Sequence, residues 1–282
     1  MTDQPDQHRT SQQVRDTAEF ILAIHRFGEI SSLAIIDAVG DVYSDNTVIA
    51  CLSEVARQGE LRLRDLIEQT ELPGPQLVRA VDRLEALGDV LRRPGPADGD
   101  GRAVFIAITP SGIERSAELD RAIFADRDDI AVEVKTAIEY SHRLGGDIML
   151  RDRDESLSFD LVVLGTALGR TTRAISPSGD TSEALALFTL AATAGGTSRP
   201  TWISRQVGLT SGGTTKVLDR LERAGHIERS FGLPGDRRGV AVSLTDAGVE
   251  LLEQMADGMA LPARQMLPVL HEIAAHLDLD PA

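Results

Sequence analysis

The chain has 282 residues, 42% hydrophobic and 26% charged, with a formal net charge of −15, which is enough for two domains that each bury a core. No run of 18 apolar residues occurs and the opening MTDQPDQHRTSQQ has no apolar signal core, so neither a membrane span nor export is indicated and a cytoplasmic protein is expected. The acidic excess argues against non-specific polyanion binding but leaves a local basic patch open.

Along the chain, the single cysteine, Cys51, sits in the apolar run VIACLSEV and is expected as an inert core thiol in a reducing compartment. A helix is expected over LPGPQLVRAVDRL, with Pro75 confined to its first turn, because a deeper proline removes a backbone donor and clashes. A hairpin loosened by Pro94, Gly95, Pro96, Gly99 and Gly101 follows. Gly145-Gly146-Asp147 and the charged run RDRDES at 151–156 mark a boundary. Beyond it, LSFDLVVLGTALGRTTRAI (157–175) places Leu157, Leu161, Leu164, Leu168 and Ile175 on one face of a helix, and EALALFTLAA (183–192) reads as another.

After Gly195-Gly196, a short segment from Thr201 to Val207 leads through the turn Gly208-Leu209-Thr210 into SGGTTKVLDRLERAG, with Val217, Leu218 and Leu221 at helical spacing. Thr210 or Ser211 is the expected N-cap and Gly225 the expected stop. Trp202 is expected to pack beneath this helix-turn-helix. HIERSF and GVAVSL then flank the loop GLPGDRRG as two short strands, and Thr245 opens a further long helix.

The same order occurs twice. VDRLEALG at 81–88 matches LDRLERAG at 218–225, an offset of 137 that also pairs Gly59 with Gly196, Arg62 with Arg199, Gln69 with Gln206, Leu72 with Leu209 and Arg92 with Arg229. Past the hairpin the offset is 136, pairing Asp100 with Asp236, Arg102 with Arg238, Thr109 with Thr245 and Gly112 with Gly248. A period near half the chain, present only twice, is a duplicated domain and not a solenoid.

No catalytic centre assembles: there is no Gly-x-Ser-x-Gly elbow and no P-loop, and no cofactor motif is recognised. LHEIAAH near the end invites a zinc reading, but His271 and His276 are five apart, about 140° around a regular helix, so they cannot hold one ion together and no metal site is expected. The Asp-Arg pairs Asp82-Arg83 and Asp219-Arg220 are read as solvated or intra-domain ion pairs in preference to DNA contacts.

The LDRLERAG helix, the GLPGDRRG hairpin and the SLTDAG step into a helix together resemble the MarR family of winged helix-turn-helix regulators, well over 180–260 and less closely over 45–125. The resemblance implies a mainly α fold with small β-hairpin wings: two winged helix-turn-helix units, residues 1–150 and 151–282, joined by a helical dimerisation-type region. It implies a non-enzymatic, sequence-specific regulator of transcription bound to a double-stranded DNA operator, a ligand-responsive repressor answering to a small aromatic effector. Family members are usually homodimers of one unit per chain, so two fused units imply an internal pseudo-dimer; whether chains associate further is left open.

For the second unit, Ser211, Gly213, Thr214, Thr215 and Lys216 open the recognition helix and are the expected major-groove residues, since hydroxyls and lysine reach bases or phosphates and glycine admits close approach. The loop arginines Arg237 and Arg238 suit the minor groove, where negative potential concentrates. By the resemblance, Arg238 is the wing arginine and Asp236 its orienting acid. In the first unit the expected contacts are Gln76 and Arg79, with Arg102 on the wing and Asp100 at the place of Asp236; this helix departs from the family pattern, and base reading, phosphate contact alone and no DNA contact stay open for it. Local charge favours the second unit, with a net of +4 over 199–240 against −1 over 62–104. The unequal readers imply half-sites of unequal sequence. The alternative is a winged-helix ligand-sensing or protein-interaction module that has lost DNA binding.

Overall fold

The computed structural model describes residues 10–70, 72–95, 103–146, 157–233 and 236–279, the side chains of 232–238 excepted. The fold is mainly helical with two small antiparallel sheets of three strands each. Helix α1 (Gln12–Val39) precedes the first winged helix: α2 (Asn46–Gln58), β1 (Glu60–Arg62), α3 (Leu63–Thr70), α4 (Gly74–Leu87), β2 (Val90–Pro94) and β3 (Val104–Ile108). Helices α5 (Pro110–Ala125), α6 (Arg127–Arg143) and α7 (Leu157–Ile175) follow. The second winged helix repeats the order with α8 (Thr181–Ala192), β4 (Thr197–Ser198), α9 (Pro200–Val207), α10 (Ser211–Arg223), β5 (Ile227–Leu233) and β6 (Asp236–Leu244), and α11 (Asp246–His276) closes the chain. Among the described residues no helix is long and apolar enough to cross a membrane.

In each sheet a short first strand pairs with the outer side of the hairpin's return strand, giving the orders β1-β3-β2 and β4-β6-β5. Those two short strands escaped the sequence reading, because three and two residues carry no period. The second hairpin is the longer, paired from Ile227↔Leu244 out to Leu233↔Asp236, whereas the first runs from Val90↔Ile108 to Pro94↔Val104. Pro75 stands in the first turn of α4, with Pro73 as the N-cap residue.

The repeat-matched glycines have local causes. Gly88 and Gly225 follow the recognition helices at φ 79° and 80°, left-handed values that turn the chain into the wing. Thr109 and Thr245 cap the next helix, accepting from the amides of Gly112 and Gly248 at 3.0 and 3.1 Å while each donates at 2.6 Å to the carbonyl of Gly88 or Gly225. A Cβ on Gly112 or Gly248 would lie 2.0 Å from the carbonyl oxygen of Asp89 or His226. Only glycine lets the helix start abut that turn.

By chain contacts there are two compact units. One comprises Gly28–Ala131, Arg151–Leu164 and Glu272–Ala282; the other comprises Met1–Phe27, Val132–Leu150 and Gly165–His271. These packing units are interleaved in sequence, with the divisions falling inside α1, α6, α7 and α11. In the first, Leu52, Val55, Leu66, Leu77, Leu84 and Ile106 form the buried centre, and the start of α7 is tied down by the Ser158 amide on Asp120 (2.8 Å) and the Ser158 hydroxyl against that of Ser53 (3.1 Å). In the second, Phe188, Leu190, Ile203, Leu218, Leu221 and Val242 fill the winged helix. There α1 is joined to α11 by Ser11 on Glu253 and Gln13 on Asp257, both 2.9 Å, and α6 to α11 by the Ser141 hydroxyl on the Ala263 carbonyl at 3.0 Å.

Cys51 is fully buried on α2, and its thiol is pushed up to about 12, first by burial and then by the Asp45 carboxylate. The thiolate, the reactive form, is therefore scarce. Iodoacetamide at pH 8 should leave native protein unmodified and alkylate Cys51 quickly in denaturant; equal rates in both would show that α2 is not buried as described.

Candidate nucleic-acid interface

The second helices of the two helix-turn-helices, α4 and α10, start in the same register. Their buried positions match one for one, Leu77 with Thr214, Val81 with Leu218 and Leu84 with Leu221. Their outward positions match too. Gln76, Val78 and Arg79 are exposed on α4, while Thr215 and Lys216 are exposed on α10 and Gly213 is half-buried. Arg79 and Lys216 each occupy the sixth residue of their helix.

The cap at Thr210 fixes the start of α10: its Oγ1 accepts from the Gly213 amide at 3.2 Å. Ser211 and Gly212 are exposed in the first turn. Thr215 is exposed, with its hydroxyl proton donated to the Ser211 carbonyl at 3.0 Å, which leaves the oxygen free to accept. Thr214 is a correction. It is only 3% exposed and its hydroxyl donates to the Thr210 carbonyl at 3.0 Å, so it fills the core position that Leu77 fills in the first unit and is not presented to a partner.

Trp202 is a second correction, being 48% exposed on α9 instead of packed beneath the helix-turn-helix. Ile203 and Val207, four apart, are the residues α9 buries, and Trp202 stands one step, about 100°, round the helix from Ile203.

The cations of both units fall into two classes. Arg92 reaches from β2 to Asp82 and Glu85 on α4, and Arg229 reaches from β5 to Asp219 at 2.7 Å and Glu222 at 2.6 Å on α10. The same clamp, in each unit, fixes the hairpin to the preceding helix. Arg83 pairs at 2.8 Å with Asp45, the N-cap of α2; Arg220 pairs with Asp180, the N-cap of α8, and with the buried Glu183. The Glu183 hydrogen bond raises the Arg220 guanidinium above its ordinary value against the opposing pull of desolvation, and the Glu183 and Asp180 charges add to it. The Asp-Arg pairs of the repeat are thus structural ion pairs, with the partner of each arginine an acid some forty residues away. No spacing rule reveals that.

The other class is free. Arg79 and Lys216 are exposed and make no ion pair or side-chain hydrogen bond among the described residues, and the same holds for Arg205 and Arg223 in the second unit and Arg93 in the first. Of the wing residues, Asp236, Arg237 and Arg238 open β6, and their side chains lie outside the described part of the structure, as do Asp100 and Arg102 entirely.

Elsewhere, His271 stands edge-on to His142, ring centroids 5.8 Å apart, and burial, followed by the nearby His142, lowers its pKa. His276 instead lies 3.6 Å from Asp160. Among the described residues no group of three or more His, Cys, Asp or Glu side chains is arranged to hold a metal ion.

No family model matches the chain, and no curated protein matches it significantly. Among solved structures it is similar to NadR in complex with 4-hydroxyphenylacetate, at 23% identity and a TM-score of 0.31, over 43% of this chain and 78% of that one.

Proposed function

We propose that the chain is a MarR-like transcription regulator in which residues 1–150 and 151–282 are copies of one unit, so that a single chain acts as its own pseudo-dimer on a double-stranded operator. Each recognition helix enters the major groove and the wing arginines Arg102, Arg237 and Arg238 address the flanking minor groove, with half-sites of unequal sequence. Following the family resemblance, the role is that of a cytoplasmic, non-enzymatic repressor released by a small aromatic effector.

One contrast carries the reading. Arginines that recur in both copies at positions 83/220 and 92/229 are consumed inside the fold, while the cation that recurs at 79/216 is exposed and unpaired among the described residues at the same register of both helices. Internal packing makes no use of it, and a phosphate or a guanine edge does. The rival, an interaction module without DNA binding, draws on the net charge of −15.

Salt separates the two. In an anisotropy titration against the DNA upstream of its own coding region, operator binding should weaken steeply between 50 and 200 mM salt, with about 0.9 of logarithmic slope for each phosphate neutralised. Weak binding that is flat with salt would sink the DNA reading and leave the interaction module.

A further inference from the structure

The matched registers of α4 and α10 differ at several exposed places, the first of them Gly74 against the exposed Ser211. At 78/215 stand valine and threonine, alike in shape, with a hydroxyl on the threonine only. At 79/216 stand two cations, both suited to guanine O6 and N7 or to phosphate. At 76/213 a glutamine faces a glycine: a long carboxamide against no side chain at all.

The Gln76 backbone is fixed by its amide on the Pro73 carbonyl at 2.9 Å, its side chain is exposed, and its carboxamide makes no hydrogen bond among the described residues. A carboxamide presents one donor and one acceptor side by side, the pattern that pairs with N7 and N6 of adenine in the major groove. Gly213 offers no such pattern, and its backbone amide is already taken by Thr210.

Resting on the DNA-binding reading above, we propose that Gln76 makes the operator asymmetric at one position: the half-site under α4 demands adenine there, where the half-site under α10 accepts any base.

The test is selection of duplexes from a random pool by the full chain, followed by affinity for every base at each selected position. Wild type should show an adenine preference of about five- to a hundredfold at one position of one half-site. Gln76→Ala should bring that preference to near unity and leave every other position unchanged. Gln76→Glu, an acid well placed near a helix N-terminus, should move the preference to cytosine, whose N4 amine donates to a carboxylate. Should Gln76→Ala fold poorly, Gly213→Gln serves instead: its Cβ meets Thr210 Oγ1 at 3.3 Å, a small adjustment, and it should install the adenine demand in the second half-site. Selected duplexes whose base preferences are the same for wild type and Gln76→Ala would overturn the proposal while DNA binding stands. A pool from which nothing is enriched would overturn both.

Discussion

Replacing Gly248 by alanine should cost the second winged helix about 3 kcal/mol or more, a drop in melting temperature of roughly 6–12 °C. The added Cβ would stand 2.0 Å from the His226 carbonyl oxygen and 3.0 Å from its carbon. Neither is the end of a flexible side chain, so the overlap is relieved only by moving backbone. That carbonyl accepts the Thr245 amide at 3.1 Å, and the Thr245 hydroxyl holds Gly225 and Gly248 together, so any shift opens the cap of α11 and the turn between α10 and β5 at once. Gly112→Ala should do the same to the first unit, where the Cβ would meet the Asp89 carbonyl oxygen at 2.0 Å. Gly28→Ala is the control: it lies within α1 with nothing within 4 Å of its Cβ, and alanine there should be neutral or stabilise by roughly 0.5–1 kcal/mol. Calorimetry of the three variants checks this. Equal melting for Gly248→Ala and Gly28→Ala would mean that the helix start does not rest on the turn.

The second large effect concerns affinity with the fold intact. Lys216→Ala and Arg79→Ala should each weaken operator binding about tenfold and lower the salt slope by about 1, and the double variant should lose about a hundredfold. Neither side chain has a partner in the described structure, so melting should stay within about 0.5 kcal/mol of wild type. Arg229→Met should behave in the opposite way. It removes the clamp on Asp219 and Glu222, two acids that then face each other on α10 without a cation, so the loss appears first in stability and reaches DNA only through a loosened wing. If Arg229→Met abolished binding in a fully stable protein while Lys216→Ala bound normally, the division of cations into spent and free would be the wrong way round.

Much of this architecture is written in local chemistry. The N-cap at Thr210, the stop at Gly225, the step at Thr245 and the repeat offset locate both helix-turn-helices, because capping and left-handed glycine act within a few residues. Strands β1 and β4 were not legible; each exists because a return strand offers it an edge, and that is a tertiary circumstance. Thr214 misled because its hydroxyl suggested a contact, whereas its register opposite Leu77 already placed it inward. Trp202 misled in the other direction, its size suggesting burial when the α9 period buries Ile203 and Val207. Which arginines are spent was beyond spacing rules altogether, since Asp45 and Asp180 stand on other helices.

The most direct test is a base-resolved footprint of one chain on one selected duplex at equal concentrations. Two protected major-groove segments about one helical turn apart are expected, with Arg79→Ala fading one and Lys216→Ala fading the other. A single protected segment, or two that fade together whichever cation is removed, would contradict the reading of one duplex by both units.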